Sequence, residues 1–204
     1  MRKFSRTLVV ALTLSAFASS ARADDEASNV AHVAAGPYGR CYAKSVPDHV
    51  YDPVDEPRQQ GRTMVYRVGK SQDELVQKLH WFAQRLFVRC GPASNFVVVR
   101  LGPWHRGHDP HADHLAIAFY QNGSLLKRYS SLDIAGDEKA QSGGLSTYRN
   151  VSASESHYTV FGSAPEMVKI TTARGAIFED NWVIRAKTVD GRVLTFDMAT
   201  GDLE

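Results

Sequence analysis

The chain is poor in the patterns that announce chemistry. It has two cysteines, Cys41 and Cys90, in 204 residues. They are too far apart for a Cys-x-x-Cys motif, so a thioredoxin-like active site is excluded. No Gly-x-Ser-x-Gly turn occurs, which removes the nucleophile elbow of the α/β-hydrolases. There is no glycine-rich phosphate loop and no alternation of strands with helices, which argues against nucleotide-dependent chemistry. After residues 8–18 no second long apolar run follows, so the rest of the chain does not cross a bilayer as a helix. A basic excess is missing too. Arg2, Lys3, Arg6 and Arg22 take four of the 24 Lys and Arg, and none of the 22 acids precedes Asp24, which leaves 20 bases against 22 acids, a net of −2. That balance does not suit a nucleic-acid-binding surface.

What is present begins with a leader. Met1-Arg2-Lys3 precedes the apolar run at 8–18, and Ala21-Arg22-Ala23 supplies a small-x-small site before Asp24 and Asp25. This is the three-part build of a secretory signal peptide spanning residues 1–23, cleaved after about Ala23. The run is too short to span a bilayer and lacks the polar face of a surface helix. No cysteine follows it for lipid attachment. The expected product is soluble and exported, periplasmic or extracellular. In an oxidising compartment two lone thiols pair, so a Cys41–Cys90 disulfide is predicted. Closing a loop of about 50 residues is worth roughly 4 kcal/mol in the chain-entropy model, a ceiling because native strain subtracts from it. That loop carries Pro47, Pro53 and Pro57 among polar residues and reads as an irregular excursion.

With 43% apolar and 23% charged residues a packed core is expected. Residues 24–35 read as a flexible acidic arm and 36–204 as a single mostly-β domain. The segment at 63–68 alternates and is β-branched, as a strand does. Ser71 and Glu74 suggest a capping box, and Leu75, Leu79 and Phe82 follow helical spacing, so one short helix is predicted over about 72–83. Leu86, Val88 and Cys90 then alternate, and 96–101 is a buried-strand run. Residues 114–120 form a further strand, returned by Asn122-Gly123 into 125–129. A Gly/Ser-rich loop covers about 135–150. Strands are expected at 158–161, 167–171 and 182–189, the last returned by Asp190-Gly191 into 192–196. The fold class is therefore mainly β: an antiparallel sandwich or barrel-like domain built from hairpins.

One segment concentrates polar chemistry: Trp104-His105-Arg106-Gly107-His108-Asp109-Pro110-His111-Ala112-Asp113-His114. Four of the eight histidines fall within ten residues, at intervals of three. Gly107 and Pro110 prevent regular helix, and a bend brings side chains three apart toward one point. Neutral imidazoles with a carboxylate suit Zn or Cu, and His108, His111, His114 and Asp109, with His105 nearby, are the candidate ligands. The bland alternative is a solvated turn between two strands, its aspartates bonding the imidazoles or the backbone. The stretch at 109–114 resembles the His-x-His-x-Asp-His signature of the metallo-β-lactamase superfamily at His111, Asp113 and His114. Asp109 stands at its first His position and Leu115 where that family has Gly. Only His157 remains as a downstream His ligand, and the family's αββα fold does not suit this chain. Three matches in a stretch of six residues out of 204 imply no kinship.

Other constellations are weaker. Ser156 and His157 are sequence neighbours and point to opposite faces of a strand, so they form no dyad. Glu166, Glu179 and Asp180 are available carboxylates without a pattern that pairs them. Trp81, Trp104 and Trp182 read first as core or core-edge residues. No catalytic residue is assigned. The leading expectation is an exported binding or interaction domain without evident catalysis, meeting a cell-envelope protein or a small ligand and no nucleic acid. The alternatives are a periplasmic Zn or Cu binding protein using the turn at 105–114, and a metal-assisted hydrolase at the same turn.

Overall fold

The computed structural model describes residues 30–48, 60–83, 85–91, 95–102, 111–135, 161, 165–174, 177–188 and 191–204. Among them eleven strands form three antiparallel sheets. An outer sheet has the order β1 (His32–Ala35), β2 (Cys41–Pro47), β3 (Gly61–Arg67) and β4 (Glu74–Leu79). A central sheet follows as β5 (Leu86–Cys90), β6 (Phe96–Leu101), β7 (Leu115–Gln121) and β8 (Ser124–Ser130). A third sheet places β10 (Ile177–Lys187) between β9 (Glu166–Arg174) and β11 (Val193–Asp197). One short α-helix, α1 (Ser131–Ala135), caps the end of β8. The mainly β, hairpin-built class expected from the sequence is the observed one, and among the described residues no sheet closes into a barrel.

The core explains why the sheets stack. Residues on one strand alternate between faces, and β6 is buried on both. Phe96 and Val98 join Cys41, Ala43, Val65, Leu79, Leu86 and Val88 in a cluster shared with the outer sheet. Val97, Val99 and Leu101 join Ile117, Phe119, Ile184, Phe196 and Met198 in a cluster shared with the third sheet. The central sheet is thus the middle of three layers. A strand covered on both faces needs an unbroken apolar run rather than alternation, which is how 96–101 reads.

Cys41 and Cys90 are joined, as predicted, with their Cα atoms 6.1 Å apart. The bond links the first residue of β2 to the last of β5, so it crosses from outer to central sheet. The span it closes is less irregular than expected. It contains most of the outer sheet, and Pro47 is the last residue of β2, while Pro53 and Pro57 lie outside the described residues.

The Asn122-Gly123 turn is also as read. Asn122 has φ 49° and Gly123 φ 87°, the positive pair that a two-residue hairpin demands. Asn122 further accepts the Phe96 backbone N–H on its Oδ1 at 3.0 Å, which ties the hairpin tip to the start of β6.

Two expectations fail. The helix predicted over 72–83 is absent, and the segment holds β4 instead. Glu74 caps nothing and lies 3.9 Å from Arg67 across the strand pair. Leu79, Phe82 and Leu86 do reach the interior, but by strand, loop and strand. Pairing with the otherwise open edge of β3 outweighs a weak local helix preference. The last part of the arm expected at 24–35 is a strand, because His32–Ala35 forms β1 and pairs with Ser45–Tyr42 of β2, while residues 24–29 lie outside the described residues. The strand expected at 158–161 and the loop at 135–150 lie almost wholly outside the described residues; Phe161 makes an isolated bridge to Thr188.

Candidate functional site

The histidine turn enters β7. His114 N–H donates to the His111 carbonyl at 3.2 Å, closing a tight turn over 111–114. The turn is fastened to α1. His111 N–H donates to Ser131 Oγ at 2.9 Å, Ser131 O–H returns a bond to the His111 carbonyl at 3.1 Å, and Ser131 N–H donates to the His114 carbonyl at 2.7 Å. α1 is itself fixed by a reciprocal cap. Ser130 donates to Asp133 Oδ2 at 2.7 Å, and Asp133 N–H donates back to Ser130 Oγ at 3.1 Å. Arg128 Nη2 holds the Asp113 carbonyl at 2.8 Å.

On this frame the imidazoles of His111 and His114 lie 5.3 Å apart between ring centroids, with their planes at 48°. Asp113 N–H donates to His111 Nδ1 at 3.2 Å, so neutral His111 carries its proton on Nε2. Asp113 Oδ2 stands 3.4 Å from the same Nδ1. If Nε2 took a metal, the ring proton would move to Nδ1 and face that carboxylate, the usual outer partner of a metal-bound histidine. His111 and Asp113 are exposed and His114 is half-buried. Among the described residues no group of three His, Cys, Asp or Glu is arranged to hold a metal. Of the sequence candidates, His111 and His114 are brought together, while His105, His108 and Asp109 lie outside the described residues.

A second polar cluster went unread in the sequence. The Arg100 guanidinium lies 4.8 Å from the centroid of the Trp81 ring. The Tyr120 ring lies 5.2 Å from Trp81, tilted by 40°. Arg100 is half-buried on the outer-sheet face of β6, and burial pulls its pKa below the usual arginine range, with the Tyr120 hydroxyl opposing the shift. The signal was available: Arg100 is the one charged residue in the apolar run at 96–101.

The buried hydroxyls among the described residues all serve the fold. Ser45 Oγ and Thr63 Oγ1 are 3.0 Å apart; Thr63 donates to the Trp81 carbonyl at 2.9 Å, and Ser45 accepts from Ala83 N–H at 3.0 Å. Thr188 donates to the Arg192 carbonyl at 3.1 Å. With Ser130 and Ser131 on α1, every buried hydroxyl among the described residues closes a turn or joins strands. No described helix is long and apolar enough to cross a membrane. Compared with protein-family models, with curated proteins and with solved structures, the chain matches none.

Proposed function

We propose that this chain is an exported, non-enzymatic binding domain that meets a small ligand or a cell-envelope protein through its surface. The observation that carries this reading is the use of every described buried hydroxyl as a structural bond, which leaves none of them poised as a nucleophile. Export is supported by the signal-peptide pattern of residues 1–23 and by the Cys41–Cys90 bond, which persists in oxidising compartments. The test is intact-mass analysis of the product of full-length expression, followed by a thermal-shift screen against small envelope metabolites. The expected product begins at Asp24 with its thiols joined, and at least one ligand class raises its melting temperature. A ligand at a hundred times its Kd adds about 2.7 kcal/mol to stability. A cytosolic product that keeps residues 1–23 and two free thiols overturns the export reading. A metabolite converted by the protein overturns the non-enzymatic one.

A second reading rests on the 5.3 Å approach of the His111 and His114 rings. In it the turn binds Zn or Cu through these two imidazoles, with Asp113 orienting His111 and further ligands from 105–109. Untagged protein dialysed against Zn is expected to retain about one ion, and a His111→Ala/His114→Ala variant to lose it. Equal retention by the variant sinks this reading.

A further inference from the structure

The outer sheet turns one face to the core and the other to solvent. Ala43, Ser45, Thr63, Val65 and Leu79 are buried, so their neighbours along each strand point outward. Pairing places Ala35, Tyr42, Tyr66 and Leu75 in one outward row across all four strands. The next row is Val33, Lys44, Met64 and Lys78, and beyond it Val46 stands opposite Arg62. The Tyr66 hydroxyl donates to Met64 Sδ at 3.5 Å, which joins the first two rows.

This face combines wet apolar groups with unpaired charge. Val33 and Leu75 are 59% and 41% exposed. Val68, two residues beyond Tyr66 and bonded through its N–H to the Arg40 carbonyl, is 48% exposed. Lys44, Arg62 and Lys78 are exposed, and none forms a side-chain hydrogen bond or ion pair among the described residues. The acids stand at the ends. Asp73 accepts the Tyr42 hydroxyl at 2.9 Å and the Gly69 N–H at 3.3 Å, and Asp48 follows β2 past its last pair. The middle of the face is therefore cationic, with apolar groups set between the charges.

Geometry selects among anionic partners. With strands about 4.8 Å apart the face is roughly 15 Å across, which suits an extended surface better than one small ligand. The Tyr42 and Tyr66 rings stack on each other, 5.0 Å apart at 17°, so they spend on one another the faces that a sugar or base would need. An acidic polymer would use the cations and leave Val33, Val68 and Leu75 wet. A second copy of the face would set like charges against like. The head-group layer of an anionic bilayer meets both demands. It offers phosphates to the ammonium and guanidinium groups and an acyl boundary to the aliphatic ones, and tyrosine rings favour that depth.

We propose that the outward face of the outer sheet is a peripheral docking surface for an anionic lipid bilayer. Lys44, Arg62 and Lys78 supply the attraction, and Val33, Leu75 and the Tyr42–Tyr66 pair supply the apolar contact. This role goes beyond the binding reading above and does not depend on it. Docking is reversible, because each cation strengthens binding only about fivefold near the surface.

The test sediments the purified, disulfide-bonded protein at low ionic strength with vesicles of phosphatidylcholine alone and of phosphatidylcholine mixed with phosphatidylglycerol. Pelleting is expected with the mixed vesicles only, and is expected to fall as salt is raised. Lys44→Gln/Lys78→Gln is expected to weaken it about thirtyfold, and Val33→Thr/Leu75→Thr about fivefold, each at an unchanged melting temperature. Arg62→Gln alone is expected to cost about fivefold, and it decides the matter if either double variant melts early. A leader retained on the chain would pellet parent and variants alike, so the differences between them carry the result. Pelleting with neither vesicle, or equally with both, overturns the proposal, and so does a lysine variant that binds as tightly as its parent. Full binding by the Val33→Thr/Leu75→Thr protein, or equal affinity for soluble polyglutamate, assigns the face to acidic polymers and overturns the bilayer role. The mass and thermal-shift measurements that test export and ligand binding contain no lipid, so they succeed or fail independently.

Discussion

The two interlayer cores of this molecule are built by different means. Between the central and third sheets the side chains are large: Phe119, Phe161, Phe196, Ile117, Ile134, Ile184, Leu101 and Met198 are all fully buried. Between the outer and central sheets most are small, with Ala43, Ala83, Val65, Val88 and Val98 at the centre. That second core also holds the Ser45–Thr63 hydroxyl pair and the disulfide. Burying a large apolar side chain stabilises by about 1.5–3 kcal/mol, and an alanine contributes well under that. A cross-link worth at most about 4 kcal/mol offsets roughly two missing large side chains. One interface is therefore held by packing and the other by packing plus a covalent tie and directed hydrogen bonds.

The largest expected effect that breaks this comparison comes from the packed side. Phe196→Ala removes a ring that contacts both Phe119 and Tyr129, at 5.8 and 5.2 Å between centroids. It is expected to cost about 3–5 kcal/mol in urea unfolding, and an unchanged urea midpoint would show that this core repacks freely. Next comes the tie. A Cys41→Ser/Cys90→Ser variant is expected to lose about 2–4 kcal/mol, and its loss should exceed that of any single valine truncation in the same core. A loss close to zero would mean that the small-residue interface stands without its cross-link.

Thr63→Val sharpens the contrast at smaller scale. The change keeps shape but strands the Trp81 carbonyl and removes a partner of Ser45. A cost of about 1–3 kcal/mol is expected by equilibrium denaturation. The smallest effect is a pH slope from His32. Its half-buried ring packs edge-on against Phe82, 6.2 Å away. Burial lowers its pKa from the ordinary 6.5, against a weaker opposing bond to the Val30 carbonyl. As pH falls through 6.5 the unfolded chain takes up this proton first, so stability declines; the decline ends once the native ring is protonated at its lower value. His32→Gln should flatten this part of the stability–pH curve, and an unchanged slope would assign it to another group.

The layering was partly legible in the chain. The run at 96–101 announces a strand without a wet face, and Asn122-Gly123 announces a tight hairpin, because both signals are local. The cysteine pair was legible by elimination. The failure at 72–83 has a non-local cause: the stripe Leu75, Leu79, Phe82 suits a helix, and only the open edge of β3 selects a strand. β1 was missed for the same reason, since His32–Ala35 carries no strand pattern apart from its partner β2. At the histidine turn the spacing of three puts His111 and His114 in one bend, where their rings lie 5.3 Å apart, but no linear spacing states the fastening by Ser131, which is contributed from 20 residues away. The row of Val33, Lys44, Met64 and Lys78 depends on register across four strands and is invisible along the chain.

The double coverage of β6 has a consequence for how the molecule comes into being. A ribosome or a translocation channel delivers the outer and central sheets before β9, β10 and β11 exist. Throughout that interval Val97, Val99, Leu101, Ile117 and Phe119 form a bare greasy plane, and any escort that shields nascent sheets has its natural foothold there.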